Sequence, residues 1–272
     1  MTEQDHAFTL EKHNSSPLVI DSPHSGRTYP EDFQHKCKLL DMAAAEDRYV
    51  DHLLENTKDY GASLLCAQFP RTYIDPNRPL DDIDTDMLSA PWPEIINPSP
   101  KTKLGIGLIR SKLHKGQELY DRKLTVREVQ NRIEHYYTPY HRTLRNLLEE
   151  KHQKHSCYWH IDMHSMPAQS SPYNFIIGDR DGTTCDPAFR KIVKDTLESF
   201  GYSVTVNTPY KGVEIVRRYG QPEKNKHSLQ LEINKALYLD ANTQEKSPGF
   251  KALKIDIEQF TKTVAEWGKF QL

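Results

Sequence analysis

Short apolar runs rich in β-branched residues recur along this chain, with helix-like periods between them, and that alternation is what most restricts its fold. Residues 17–21 (PLVID), 62–69 (ASLLCAQF), 105–110 (GIGLIR), 157–162 (CYWHID), 173–178 (YNFIIG), 202–206 and 228–234 (SLQLEIN) read as strands bounded by turn residues. Leu39, Met42, Ala43, Tyr49, Val50, Leu53 and Leu54 recur at three- and four-residue spacing, predicting a helix over about 39–59 that Gly61 stops. Thr125 with Glu128 forms a capping box that opens a long helix over 124–151, bent near Pro139 because proline lacks a backbone donor. Asp186, Pro187 and Gly201 delimit a helix over 186–200, and 248–268 reads as the last helix. The proline-rich stretch 70–100, with its acidic run DDIDTD, keeps no period and reads as a long loop, functional or mobile. Strands alternating with helices imply an α/β fold: a mixed, mostly parallel twisted sheet with helices on both faces. No linker, repeat or low-complexity segment divides residues 1–272, which read as one domain.

Composition excludes several functions. The 36 Lys and Arg balance 38 Asp and Glu, leaving a net charge of −2, whereas a nucleic-acid binder would carry a basic excess. No apolar run approaches the ~20 residues of a membrane span. The polar start, MTEQDHAFTLEKHNSS, has neither the basic nor the apolar region of a secretory signal. Cys37, Cys66, Cys157 and Cys185 lie far apart with no C-x-x-C pair, which argues against a zinc ribbon or a disulfide scaffold and for a reducing cytoplasm.

In α/β sheets, ligands gather beyond the carboxyl ends of the strands. One strand runs into His24, a second ends at Asp162 and His164, and a third carries Glu232 between Leu231 and Ile233. Neutral imidazole is the commonest zinc ligand, and a catalytic zinc takes three protein ligands plus water, so His24 and His164 are a candidate metal pair. Asp47 and Asp51, one turn apart on a predicted helix, each offer the completing carboxylate, and Asp162 is placed to hold the other ring nitrogen of His164. The competing reading is two histidines that only cap or pack. Glu232 is a candidate general base, because a desolvated carboxyl has a raised pKa; the alternation Gln230, Glu232, Asn234 also fits a strand whose polar face meets solvent. Arg71, Asn77 and Arg78 in RTYIDPNRP, with Arg217 and Arg218 in EIVRRYG, offer bidentate grips for an acidic substrate, or are surface arginines. His141, directly after Tyr140 on the long helix, packs or faces a cleft.

IDSPHSG, EDRYVD, RTYIDPNRP, YYTPYH, DMHSMP, FIIGDRDG, RRYGQP and LQLEINKALYLD occur in this order, and together they resemble the N-formylglutamate amidohydrolase family from about residue 17 to 260. The resemblance implies a fold similar to zinc carboxypeptidases and hydrolysis of the formamide of N-formyl-L-glutamate to formate and glutamate, a step of histidine degradation. It implies one zinc per chain on His24, His164 and Asp47, with Asp51 as the alternative third ligand, and Glu232 as general base. Asn77 and Arg78 resemble the Asn-Arg pair with which carboxypeptidase-like enzymes grip a substrate carboxylate, and Arg71 or Arg78 would support the oxyanion. Arg217 matches the arginine of the family's Gly-Gly-x-x-x-Arg-x-Tyr-Gly stretch, and His141 is carried as a substrate-side residue. Here the sequence departs: Val213, not a second glycine, follows Gly212, and Arg218 is added. The departure leaves open a related zinc amidase or peptidase acting on another N-acyl amino acid or small peptide, and a non-catalytic protein that binds an acidic metabolite.

Overall fold

The computed structural model describes residues 2–4, 7–113 and 116–271. Its strands are β1 (Thr2–Gln4), β2 (Phe8–Glu11), β3 (Leu18–Ser22), β4 (Ser63–Ala67), β5 (Tyr158–Met166), β6 (Phe175–Gly178), β7 (Val204–Val206) and β8 (Lys226–Asn234). They form one sheet in the order β1-β2-β4-β3-β5-β8-β6-β7. The centre, β4-β3-β5-β8, is parallel throughout, β2 and β6 flank it antiparallel, and the outermost pair β6-β7 is parallel. The helices are α1 (Leu39–Ala44), α2 (Val50–Leu53), α3 (Val126–Arg132), α4 (Thr138–His155), α5 (Pro187–Ser199), α6 (Glu214–Tyr219) and α7 (Phe250–Lys269). They cover both faces, so the expected α/β class and mixed sheet are what the chain adopts.

Strand alternation gives the two faces different chemistry. Leu18 and Ile20 of β3, Ile161 and Met163 of β5, and Leu229, Leu231 and Ile233 of β8 point to one side, where they pack with residues of α2, α5 and α7 in an apolar layer. On the other side the same strands carry Asp21, then His160, Asp162 and His164, then Ser228, Gln230 and Glu232, all buried. That side is closed by α4, α6 and the segment between β4 and α3. A fully polar strand face is usually solvated; this one is roofed over. The solvated reading of Glu232 is therefore wrong, because nothing in the local pattern of 228–234 reports a cover supplied from residues 70–113.

Four other expectations change. The helix over 39–59 is broken into α1, α2 and a 3-10 turn at Thr57–Tyr60, with Gly61 (φ +83°) ending the last. Met42, Ala43, Val50, Leu53 and Leu54 of the expected apolar face are buried, but Leu39 is exposed, Tyr49 takes φ +63° and the backbone N–H of Asp47 leaves the helix to donate to the carbonyl of His24 at 3.0 Å. Residues 105–110 are loop rather than strand: they carry a single isolated Ile106–Arg110 bridge and are tied by Leu108 to Asp75 and Asp82. β5 continues to Met166, so His164 lies inside the strand, because pairing with β8 extends to Met166–Asn234. The β1-β2 hairpin was not expected from a polar N-terminal segment. The predicted bend is present: a π-turn at Ile133–Tyr137 lies just before Pro139, where the missing N–H breaks the helical ladder. The capping box at Thr125 and the Asp186 cap are both formed.

At the lower end of the polar face, Asp21 accepts from Tyr140 Oη at 2.6 Å and lies 2.9 Å from His160 Nε2, while His160 Nδ1 is 2.8 Å from Ser228 Oγ. These bonds pin α4 to three central strands in a buried layer. Asp21→Ala would leave Tyr140 Oη and His160 Nε2 buried without these partners, and should cost about 3–5 kcal/mol, read as a lower denaturant midpoint at unchanged slope.

Candidate active site

The upper end of the polar face gathers residues from five separate segments. β3 ends at Ser22, and the Pro23-His24-Ser25-Gly26 loop turns His24 back over the strand tips. Gly26 is required there: a Cβ would lie 2.3 Å from the carbonyl oxygen of Phe69. Asp47 sits in the break between α1 and α2, fixed by its backbone bond to His24. His164 of β5 stands beside Glu232 of β8 in register. The segment between β4 and α3 delivers Arg71, Asp75, Asn77, Arg78 and Arg110.

Both imidazoles turn Nδ1 toward one carboxylate oxygen. Asp47 Oδ2 is 3.0 Å from His164 Nδ1 and 3.5 Å from His24 Nδ1. One donor atom from each of His24, Asp47 and His164 falls within 4.8 Å of the others. Both Nε2 atoms face carboxylates, that of His24 lying 2.7 Å from Asp75 Oδ1 and that of His164 2.8 Å from Asp162 Oδ1. His24 Nδ1 is buried with no hydrogen-bond partner. An unpartnered ring nitrogen aimed at a carboxylate, with the far nitrogen backed by a second carboxylate, is how metal-ligating histidine is held. The residues therefore fit a divalent cation bound by two imidazoles and Asp47. Asp51 does not join them: it faces away and pairs with Arg27 at 3.1 and 3.0 Å. A groove of about 880 Å³ lies elsewhere, along Met87, Tyr120 and Lys123, and none of these residues lines it. Charge, not volume, marks the site.

Electrostatics separates the acids. Burial alone would raise the pKa of Asp47, but the hydrogen bond with His164 and the neighbouring His24 and Arg71 override it and hold the carboxyl well below its ordinary range. Asp75 is likewise raised by burial and brought far lower by Arg71 and His24. Glu232 has no such cation in contact. Burial pushes its pKa up to about 7, with His164 opposing and Asp47 reinforcing the shift. Gln230 Nε2 donates to Glu232 Oε1 at 2.7 Å, which fixes one oxygen and leaves the other available for proton transfer.

The other expected residues divide. Arg71 donates to Asp75 Oδ2 from Nε (3.2 Å) and Nη2 (2.8 Å), and its Nη1 lies 3.9 Å from Asp47 Oδ1, so it borders the cluster. Asn77 is a hub: its amide donates to Asp162 Oδ2 at 3.2 Å and its oxygen accepts the backbone N–H of Ile215 at 2.9 Å. Arg78 is turned onto main-chain carbonyls, Nε to Ile106 and Nη1 to Asn77. His141 does not face a cleft: Nε2 donates to the carbonyl of Pro76 at 2.8 Å and Nδ1 meets Tyr219 Oη at 2.9 Å, so both nitrogens are used in packing. Burial pulls its pKa down to about 3, and it stays neutral. Arg217 pairs with Glu214 at 2.7 Å and its side chain is about half exposed, with no hydrogen bond or ion pair to the cluster residues. Asp75, Gln230 and Arg110 were not singled out from sequence. Asp75 carried a signal, an acid directly before proline in a loop already rich in arginine; Arg110, at the end of an apparent strand, carried none.

The model of the family described as N-formylglutamate amidohydrolase matches residues 16–239. An N-formylglutamate deformylase from Pseudomonas aeruginosa is 28% identical over 273 residues, covering 95% of this chain and 96% of its own. One from Pseudomonas putida is 28% identical over 236 residues, covering 82% of each. Among solved structures, an N-formylglutamate amidohydrolase from Ralstonia eutropha JMP134 superposes with a TM-score of 0.95 at 43% identity, covering 98% of this chain and all (100%) of that one. A gene product from Agrobacterium tumefaciens, 16% identical with a TM-score of 0.68 and 96% of each chain covered, shares the fold.

Asp75→Asn would remove the charge behind His24 Nε2. Divalent-ion affinity should fall about 10–100-fold in competition with a chromophoric chelator; unchanged affinity would show that Asp75 does not orient the ligand.

Proposed function

The chain belongs to the N-formylglutamate amidohydrolase family, and from this membership and the geometry of its buried cluster we propose that it is a zinc-dependent hydrolase cleaving the formamide of N-formyl-L-glutamate to formate and L-glutamate. The observation that carries this reading is the convergence of His24 Nδ1, His164 Nδ1 and Asp47 Oδ2 beside a buried Glu232. Two imidazole nitrogens and one carboxylate oxygen are a zinc donor set, and a bound ion would supply Lewis acidity, bringing the pKa of water toward neutrality and countering charge on the carbonyl.

The chain's own residues do the rest. Glu232 accepts a proton as water attacks the formyl carbon, and its free oxygen is the one that can take it. As the C–N bond breaks, Glu232 returns that proton to the amine nitrogen, so that the water oxygen leaves in formate and glutamate departs as the amine. Arg71, next to Asp47, faces the negative charge that develops on the formyl oxygen. Asp75 and Asp162 keep both imidazoles turned with Nδ1 inward. Asn77 ties the loop to Asp162 and α6, so it orients rather than grips. Four free, buried cysteines suit the cytoplasm, where we place the reaction.

Turnover of N-formylglutamate, compared with the N-acetyl and N-succinyl analogues, should be fastest for the formyl compound, stop on chelation and return with zinc; turnover that survives complete chelation would overturn the metal assignment. Glu232→Gln should lower kcat about 10²–10⁴-fold with metal content unchanged. A base must be deprotonated to act, so with its pKa at about 7 the wild-type rate should fall as pH drops below that value. A profile flat through the acid range would assign the base elsewhere.

A further inference from the structure

Three guanidinium groups, Arg71, Arg78 and Arg110, crowd the single carboxylate of Asp75. Arg71 takes Asp75 Oδ2 in two hydrogen bonds, and Arg78 is used on carbonyls. Arg110 is different. Only 9% of it is exposed, its Nε is buried with no partner, and its nearest acidic oxygen, Asp75 Oδ2, is 3.9 Å away, beyond hydrogen-bond reach. Burial and then the charge of Arg71 pull its pKa down to about 9. A guanidinium largely buried without a matched acceptor is costly, and an anion that brings a carboxylate to its remaining open edge reduces that cost.

The order of the arginines says which anion. Arg71 lies within 4 Å of carboxylate oxygens of both Asp47, a member of the metal cluster, and Asp75; Arg110 comes that close to Asp75 only, at 3.9 Å. Arg110 is thus the outer of the two, one group further from the reacting atoms. We propose that Arg110 is a specificity-determining residue that receives the side-chain carboxylate of the glutamyl substrate. This rests on the functional reading above, because it takes the formyl group to lie at the His24–Asp47–His164 cluster.

The test compares N-formylglutamate with N-formylglutamine, whose side chain ends in an uncharged amide, in the zinc-loaded enzyme, together with calorimetric binding of the products glutamate and glutamine. Arg110→Gln should raise KM for N-formylglutamate at least tenfold, leave kcat/KM for N-formylglutamine within about threefold, and abolish the preference for glutamate over glutamine in binding. Arg110→Lys, which keeps the charge without the fork, should fall between. Equal losses on both substrates would make Arg110 a structural residue, and an unchanged preference would remove it from the site; either overturns the assignment. Absence of N-formylglutamate turnover in the wild type would instead overturn the functional reading, and the product-binding preference would still decide Arg110. Thermal melts of both variants identify a loss caused by misfolding, in which case Arg110→Lys carries the comparison.

Discussion

A carboxylate with no access to water has to find its counter-charge within the protein, and Asp75 meets that condition at the centre of the site. Oδ1 faces His24 Nε2 and accepts the backbone N–H of Asn77 at 2.9 Å, and Oδ2 takes Arg71. Those bonds draw the tip of β3 and the segment after β4 onto one group. Asp162 does the equivalent for β5, through His164 and Asn77. Without these pairings the charged face of the sheet would cost several kcal/mol per ion to bury.

The same accounting separates roles among chemically similar acids. Asp47 and Asp75 lie among cations and stay ionised, which suits a ligand and an orienting group. Glu232 lies in the same layer with an amide as its hydrogen-bond neighbour, so burial dominates and its proton affinity rises to the range where a group can take up and release a proton in one cycle. His141 shows the reverse case: saturated by Pro76 and Tyr219, it holds the segment that bears Asn77 against α4, and its chemistry is spent on placement.

The sheet, most of its strands and the caps at Thr125 and Asp186 were legible because they follow from local periodicity and local side-chain bonds. So were His24, His164 and Glu232, as polar groups at or inside apolar strands. What escaped was anything set by distant chain. The break that frees Asp47 falls between Ala43 and Val50, both buried as the apolar spacing implies, so periodicity could not show it. The cover over Gln230 and Glu232 comes from residues far away in sequence. Arg110 ends a segment that looks like a strand, and its neighbours Asp75 and Arg71 are brought to it only by the folded loop. Tyr49, at φ +63°, is an uncommon conformation for an aromatic residue, and it lies two positions from Asp47.

The two-sided sheet has an evolutionary corollary. On the apolar face, neighbouring side chains can exchange one methylene at a time, with small penalties that largely add. On the charged face each group completes another's valence, so that a replacement acceptable in one background is ruinous in the next. Divergence among relatives of this chain should therefore accumulate as independent drift beneath the sheet and as rare, concerted exchanges above it, and a new specificity would have to arise by the second route.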